Sequence, residues 1–183
     1  LGQMMEPVEF KYEAPLKPPV RAGALRGAKG RPSRFVRTFT SEPAELEELN
    51  WSLFRRYQLL QKEEVLWESY LTEDAKLVVT AFGIGARIAK GAIKNARAFG
   101  MKVGLFRPIT LFPFPNDQLS ELAKKTSHFL DFELNMGQMI DDVKLSLGGT
   151  AEVSFYGRPG GVIPTATELL RVISRVYSQN GLG

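Results

Sequence analysis

Cysteine is absent from the 183 residues, and histidine occurs once, as His128. The first absence excludes disulfides, thiolate-held iron–sulfur clusters and Cys-type zinc sites within this chain. The second nearly excludes a His-based metal site, and a Ser–His–Asp triad would have to use His128. That residue adjoins an apolar run, so it reads as a partly buried structural histidine. No run of eighteen apolar residues occurs, which excludes a membrane-spanning helix. Residues 1–20 hold three acids and no long apolar core, so no secretory signal is expected there. These features together lead us to expect a cytoplasmic protein. The opening Leu1-Gly2-Gln3 has no initiator Met, and a fragment of a longer protein is expected.

What is present is a chain with 44% apolar content, enough for one core with an additional arm. The net charge of +4 is uneven. Residues 1–40 hold eight Lys/Arg and three acids, against sixteen and seventeen in residues 41–183. Pro7, Pro15, Pro18, Pro19 and Pro32, with Gly23, Gly27 and Gly30, predict an extended basic arm over residues 1–42. Its cations, Arg21 to Arg37, have no interleaved aromatic platform, and the remaining sequence has no basic stripe. Nucleic acid is therefore not an expected partner.

Ser41 and the acids Glu42, Glu45, Glu47 and Glu48 predict the start of a helix. Leu46, Leu49, Leu53, Tyr57 and Leu60, with Trp67 one heptad further, carry it to about Leu71. The predicted organisation is thus an arm (1–42), a connecting amphipathic helix (43–72) and an α/β domain (73–183). Within the last, strands are predicted at 76–82, 101–107, 128–134 and 151–156. Helices are predicted at 87–99, 116–125, 137–147 and from Thr165 or Thr167 to 177. This alternation predicts a three-layer α/β/α fold around a mostly parallel sheet of four to five strands.

Several segments fall where strands end and helices begin, the edge at which open α/β sheets meet ligands and partners. Gly83-Ile84-Gly85 forms a βα turn. The third position of a dinucleotide fingerprint would be Ile88, and the second strand ends in Arg107 rather than an acid. The turn therefore reads as a tight connection whose N–H groups face an anion or a partner carboxylate. Glu133, Asn135, Gly137 and Gln138 end the third predicted strand, with an interface, a ligand contact or a local cap as the alternatives. Arg158 and Gly160, in Gly157-Arg158-Pro159-Gly160-Gly161, form a rigid-then-flexible loop suited to gripping an anion or to standing in solvent. No nucleophile or metal cluster accompanies them, and no catalytic residue is assigned to this chain.

Four ordered motifs carry a family resemblance. They are Ala81–Lys90 (AFGIGARIAK), Gly104–Pro115 (GLFRPITLFPFP), Glu133–Met139 (ELNMGQM) and Gly157–Gly161 (GRPGG). With them the sequence resembles the second domain of the α subunit of 2-oxoacid:ferredoxin oxidoreductases, which is similar to the transketolase C-terminal domain. Leu1–Val8 resembles the end of the preceding pyrimidine-binding domain. The resemblance implies a complex that uses thiamine diphosphate, magnesium, iron–sulfur clusters and CoA. Such a complex oxidises a 2-oxoacid to an acyl-CoA and passes electrons to ferredoxin. It implies a thiamine-diphosphate-binding β subunit and further subunits as partners, with no cofactor bound by this chain alone and no activity of the isolated fragment. It also implies a five-strand mixed sheet, whose antiparallel member would be Ser33–Thr40 or lie within 148–165. Two other readings stay open. One is a free-standing α/β module holding an anionic nucleotide at Gly83–Gly85. The other is a homodimerisation domain joined through the 43–71 helix.

Overall fold

The structure, a computed structural model, describes residues 24, 27–33 and 39–183. The chain forms two units, 1–42 and 43–183. In the first, the described residues include a turn in which the Arg31 N–H donates to the Ala28 carbonyl at 3.2 Å. The resemblance of Leu1–Val8 lies outside the described residues.

The second unit opens with α1 (Pro43–Glu63) and β1 (Trp67–Tyr70). The α/β alternation follows as β2 (Leu77–Thr80), α2 (Gly83–Ala98), β3 (Val103–Pro108), α3 (Asn116–Ala123) and β4 (His128–Glu133). It ends with α4 (Met139–Leu147), β5 (Glu152–Gly157) and α5 (Ala166–Gln179). The sheet order is β1-β3-β2-β4-β5, parallel except for β1, which runs antiparallel to β3. The expected α/β architecture is therefore present, and its helices and strands fall close to the predicted positions. Helix α2 starts earlier than predicted, at Gly83. Helix α5 starts after Thr165, in a capping box: the Thr165 hydroxyl accepts from the Glu168 N–H, and the Glu168 carboxylate accepts from the Thr165 N–H.

Period-2 side-chain alternation divides the sheet residues between two cores. Leu77, Val79, Val103, Leu105, Leu130 and Phe132 pack with α2 and α5 residues such as Ile93, Leu169 and Ile173. Val78, Phe106 and Phe129 pack with Leu119, Leu122, Met139 and Val143 of α3 and α4 on the opposite face. The buried strands β2 and β4 lie at the centre, and both their faces are covered.

One expected element is corrected. The helix predicted to reach Leu71 stops at Glu63, and Trp67–Tyr70 is instead the antiparallel fifth strand. Local periodicity favoured helix, but non-local pairing decides the outcome. The Ile109 and Thr110 N–H groups donate to the Leu66 carbonyl at 2.9 and 3.1 Å, and Glu68 stands opposite Arg107. A predicted helix does not survive when its residues satisfy a sheet edge better. Of the positions expected for this strand, Ser33–Thr40 includes residues 34–38, which lie outside the described residues. The 148–165 region contributes β5, which is parallel.

The chain leaving β1 crosses close over β3. Leu71 has φ +54°, and a Cβ placed on Gly104 would meet the Leu71 carbonyl oxygen at 2.6 Å and the Thr72 Cα at 2.9 Å. Only glycine fits there without moving backbone. Gly104→Ala is expected to cost about 2–3 kcal/mol through forced backbone displacement. A denaturant midpoint unchanged from wild type would contradict the crossing geometry.

Candidate functional site at the carboxyl edge of the sheet

The connections place a switch point between β2 and β4. From β2 the chain crosses through α2 to β3 on one side. From β3 it passes back over β2 to β4, on the other side. The crevice outside the carboxyl ends of such neighbouring strands is where open α/β sheets receive ligands or partners. Gly83-Ile84-Gly85 and Glu133–Gln138 are the two segments that leave these strands. They are adjacent: a Cβ on Gly85 would sit 3.5 Å from the Phe132 ring and 3.7 Å from its carbonyl oxygen. Gly83 adopts φ +53°, and no side chain caps α2.

Glu133 does not face the crevice as a free base. Its Oε1 accepts from the Gln138 N–H at 3.0 Å and the Ile140 N–H at 3.1 Å. Its Oε2 accepts from the Met139 N–H and the Asn135 Nδ2, both at 2.9 Å. The carboxylate thus satisfies the unpaired N–H groups at the start of α4, where the helix dipole also favours negative charge. Burial pushes the Glu133 carboxyl upward. The Met139 N–H, the Asp131 carboxyl, the Asn135 amide and the Gln138 N–H outweigh that and hold it below the ordinary glutamate value.

The rest of the loop is tied with equal economy. Asn135 Oδ1 accepts from the Gly137 N–H at 2.6 Å. Gly137 has φ +103° and lies against Ile140 and Phe155. The Arg158 N–H donates to the Glu133 carbonyl at 3.0 Å. Gly157 passes beneath the loop, where a Cβ would collide with the Asn135 carbonyl oxygen and the Phe155 ring. What the loop presents outward is Met136, 83% exposed, together with the exposed Gln138.

The other predicted residues separate. Arg158 turns to the Tyr156 hydroxyl at 3.1 Å and to Glu168 at 3.6 Å. Gly160 continues its loop with φ +76°. Arg107 lies on β3, in an ion pair with Glu68 at 3.1 Å, and Lys90 of α2 pairs with the same carboxylate. Hydrogen bonding from Lys90, more than its charge or Arg107, brings Glu68 below the ordinary value despite partial burial. His128 is largely buried and has Glu152 at 3.6 Å.

Sequence reasoning passed over Asp131. It is fully buried on the same face of β4 as Glu133, and its Oδ1 accepts from the Thr80 hydroxyl at 2.6 Å. Its Oδ2 is buried without a hydrogen-bond partner. Burial pushes this carboxyl up to about 8, against the Thr80 hydrogen bond and with help from neighbouring Glu133. The signal was present: an acid inside the apolar run Phe129-Leu130-Asp131-Phe132 demands a partner. Among the described residues, no group of three or more His, Asp or Glu side chains is placed to hold a metal. No helix among them is long and apolar enough to cross a membrane.

A three-layer α/β/α arrangement with a switch-point sheet and an inward-capped loop at its carboxyl edge defines an open α/β domain. Residues 75–169 match the family of pyruvate:ferredoxin oxidoreductase core domain II. The chain belongs to this family, as a 2-oxoacid:ferredoxin oxidoreductase subunit domain. It is 38% identical over 180 residues to the ketoisovalerate oxidoreductase subunit VorB of Methanothermobacter marburgensis, covering 98% of this chain and 51% of the relative. It is 34% identical over 106 residues to the 2-oxoglutarate synthase subunit KorA of Methanothermobacter thermautotrophicus, covering 58% of this chain and 28% of that protein. The fold is similar to the 2-oxoglutarate:ferredoxin oxidoreductase from Magnetococcus marinus, solved with 2-oxoglutarate, coenzyme A and succinyl-CoA bound. The TM-score is 0.62 at 16% identity, over 75% of this chain and 24% of that one. The chain spans about half the length of the VorB relatives it matches.

Glu133→Gln places an NH2 group against helix N–H donors and removes the charge. The expected loss is about 2–4 kcal/mol at neutral pH. Because the folded carboxyl lies below its unfolded value, this contribution is present above the ordinary glutamate range and is lost as pH falls through the folded value. Urea unfolding of both proteins should therefore show their difference shrinking below about pH 4. A difference that does not change with pH would count against the ionised cap.

Proposed function

We propose that this chain is the C-terminal part of the α subunit of a thiamine-diphosphate-dependent 2-oxoacid:ferredoxin oxidoreductase. The assembled enzyme would convert a 2-oxoacid, CoA and oxidised ferredoxin into an acyl-CoA, carbon dioxide and reduced ferredoxin. Ketoisovalerate is the proposed substrate: the VorB likeness extends over 98% of this chain, against 58% for KorA.

In this reading the domain docks, and the chemistry lies in companion regions. The observation that carries it is Met136, an apolar side chain held almost fully in solvent by a loop whose Asn135 side chain and Gln138 N–H turn inward. Ile84 stands exposed at the neighbouring turn, and Ile109, Leu111 and Phe112 follow β3 at the same edge. Exposed apolar side chains grouped on one edge mark a protein contact. The residues of this edge do not fit a metal–diphosphate group. Glu133 is turned onto α4, Arg158 is held by Tyr156 and Glu168, and no acid cluster is available among the described residues. Thiamine diphosphate and its magnesium are therefore assigned to the β subunit and no step through them is given to this chain.

The test is co-expression of the complete α subunit with its companion subunits, with 2-oxoacid-dependent reduction of a viologen dye as readout. Met136→Asp should leave the thermal midpoint of the α subunit within about 2 °C and reduce recovered complex by about tenfold. Recovery equal to wild type would sink the docking role. For the intact complex, kcat/KM should be higher for ketoisovalerate than for 2-oxoglutarate, and the reverse order would refute the substrate assignment.

A further inference from the structure

We infer that Asp131 is a positioning residue acting through Glu133: a proton on its buried Oδ2 faces the Glu133 carboxylate and holds residues 134–138 and the start of α4 in place. This inference is independent of the oxidoreductase assignment, since it rests on side chains of this chain alone.

The geometry leaves few other arrangements. Residues 131 and 133 alternate onto the same face of β4, and both are buried. The Thr80 hydroxyl donates to Oδ1, which suits the carbonyl oxygen of a protonated acid. The other oxygen has no donor. An ionised carboxylate in that position would leave its charge beside a second carboxylate. The groups facing Asp131 are few. Glu133 is on its own strand, β2 offers the neutral Thr80 hydroxyl, β5 places Phe155 at the paired position, and Lys144 of α4 is the facing cation. Glu133, by contrast, accepts from four other donors and keeps its negative charge. The pair is therefore an acid and a carboxylate sharing a hydrogen bond, with the proton on the member that lacks other donors.

Two consequences distinguish this from simple space-filling. First, the loop depends on pH through a residue that it does not contain. The folded carboxyl lies above its unfolded value, so stability falls as pH rises from the ordinary aspartate range toward about 8 and gains nothing from further acidification below it. This slope is opposite to that of Glu133. Second, Asn can replace Asp131: its Oδ1 accepts from Thr80 and its Nδ2 donates to Glu133, with no proton to lose.

Amide hydrogen exchange of the full chain tests this at Gln138, Met139 and Ile140. After correction for intrinsic exchange, wild-type protection at these amides should fall at least about tenfold between about pH 5 and about pH 8 and change little beyond. Asp131→Asn should show protection that stays level over the same range. An equal alkaline loss in Asp131→Asn, or a level profile in wild type, overturns the assignment. So does weakened protection of the variant at all pH values, which would mean that Asp131 is not the donor. Should the variant not fold, a carboxyl-carbon NMR titration of the 13C-aspartate-labelled wild-type chain decides the matter. A protonated Asp131 at neutral pH is expected, and an ionised one refutes the proposal.

Discussion

The contact on which the carboxyl edge depends is the Glu133 carboxylate against the opening N–H groups of α4. A buried negative charge is costly unless hydrogen-bond donors meet it. Here three backbone amides and one side-chain amide meet it. The same bonds satisfy the helix terminus, set the angle at which α4 leaves the sheet, and turn the intervening chain outward. Asn135, Gly137 and Gly157 follow from that choice. Asn135 bridges the loop to Glu133, while the two glycines keep side chains out of a space that Phe155 and the backbone already fill. A segment rich in polar residues thus becomes a closed structural unit, and its apolar Met136 becomes the exposed feature.

Much of this was legible in the sequence. The alternation of Val- and Leu-rich runs with small-residue helices located the parallel strands, because buried strands need continuous apolar residues while helices over them need a narrower stripe. Thr165 or Thr167 was expected to cap the last helix, and Thr165 does so, in a box with Glu168. The two edge segments could be located for the same reason: a glycine-containing turn after an apolar run has few other uses. Which way Glu133 pointed was not legible. An isolated acid at a strand end reads equally well as a base, a ligand or a cap, and only the register of α4 distinguishes them.

The two failures share a cause. Trp67–Tyr70 continued a heptad spacing from α1, yet its partners lie about forty residues away, on β3 and the segment after it. Asp131 stood among apolar neighbours without a local partner, and the groups that accommodate it come from β2 and from two residues further along β4. Both are decided by contacts distant in sequence or by sheet neighbours, which periodicity does not encode. Arg107 shows the same effect: at the strand end it was a candidate interface or ligand-edge residue, but the cross-strand Glu68 pairs with it.

The inward bonding of the loop has a kinetic and entropic meaning for association. Its backbone is already fixed, so a partner docking at Met136 as proposed would need little ordering beyond the side chain itself, about 0.5–1.5 kcal/mol for an immobilised long side chain. Recognition of that kind would be a rigid-body encounter rather than coupled folding. Differences in affinity among sequence variants at the tip should be expressed mainly in how long the complex lasts, with little change in how fast it forms.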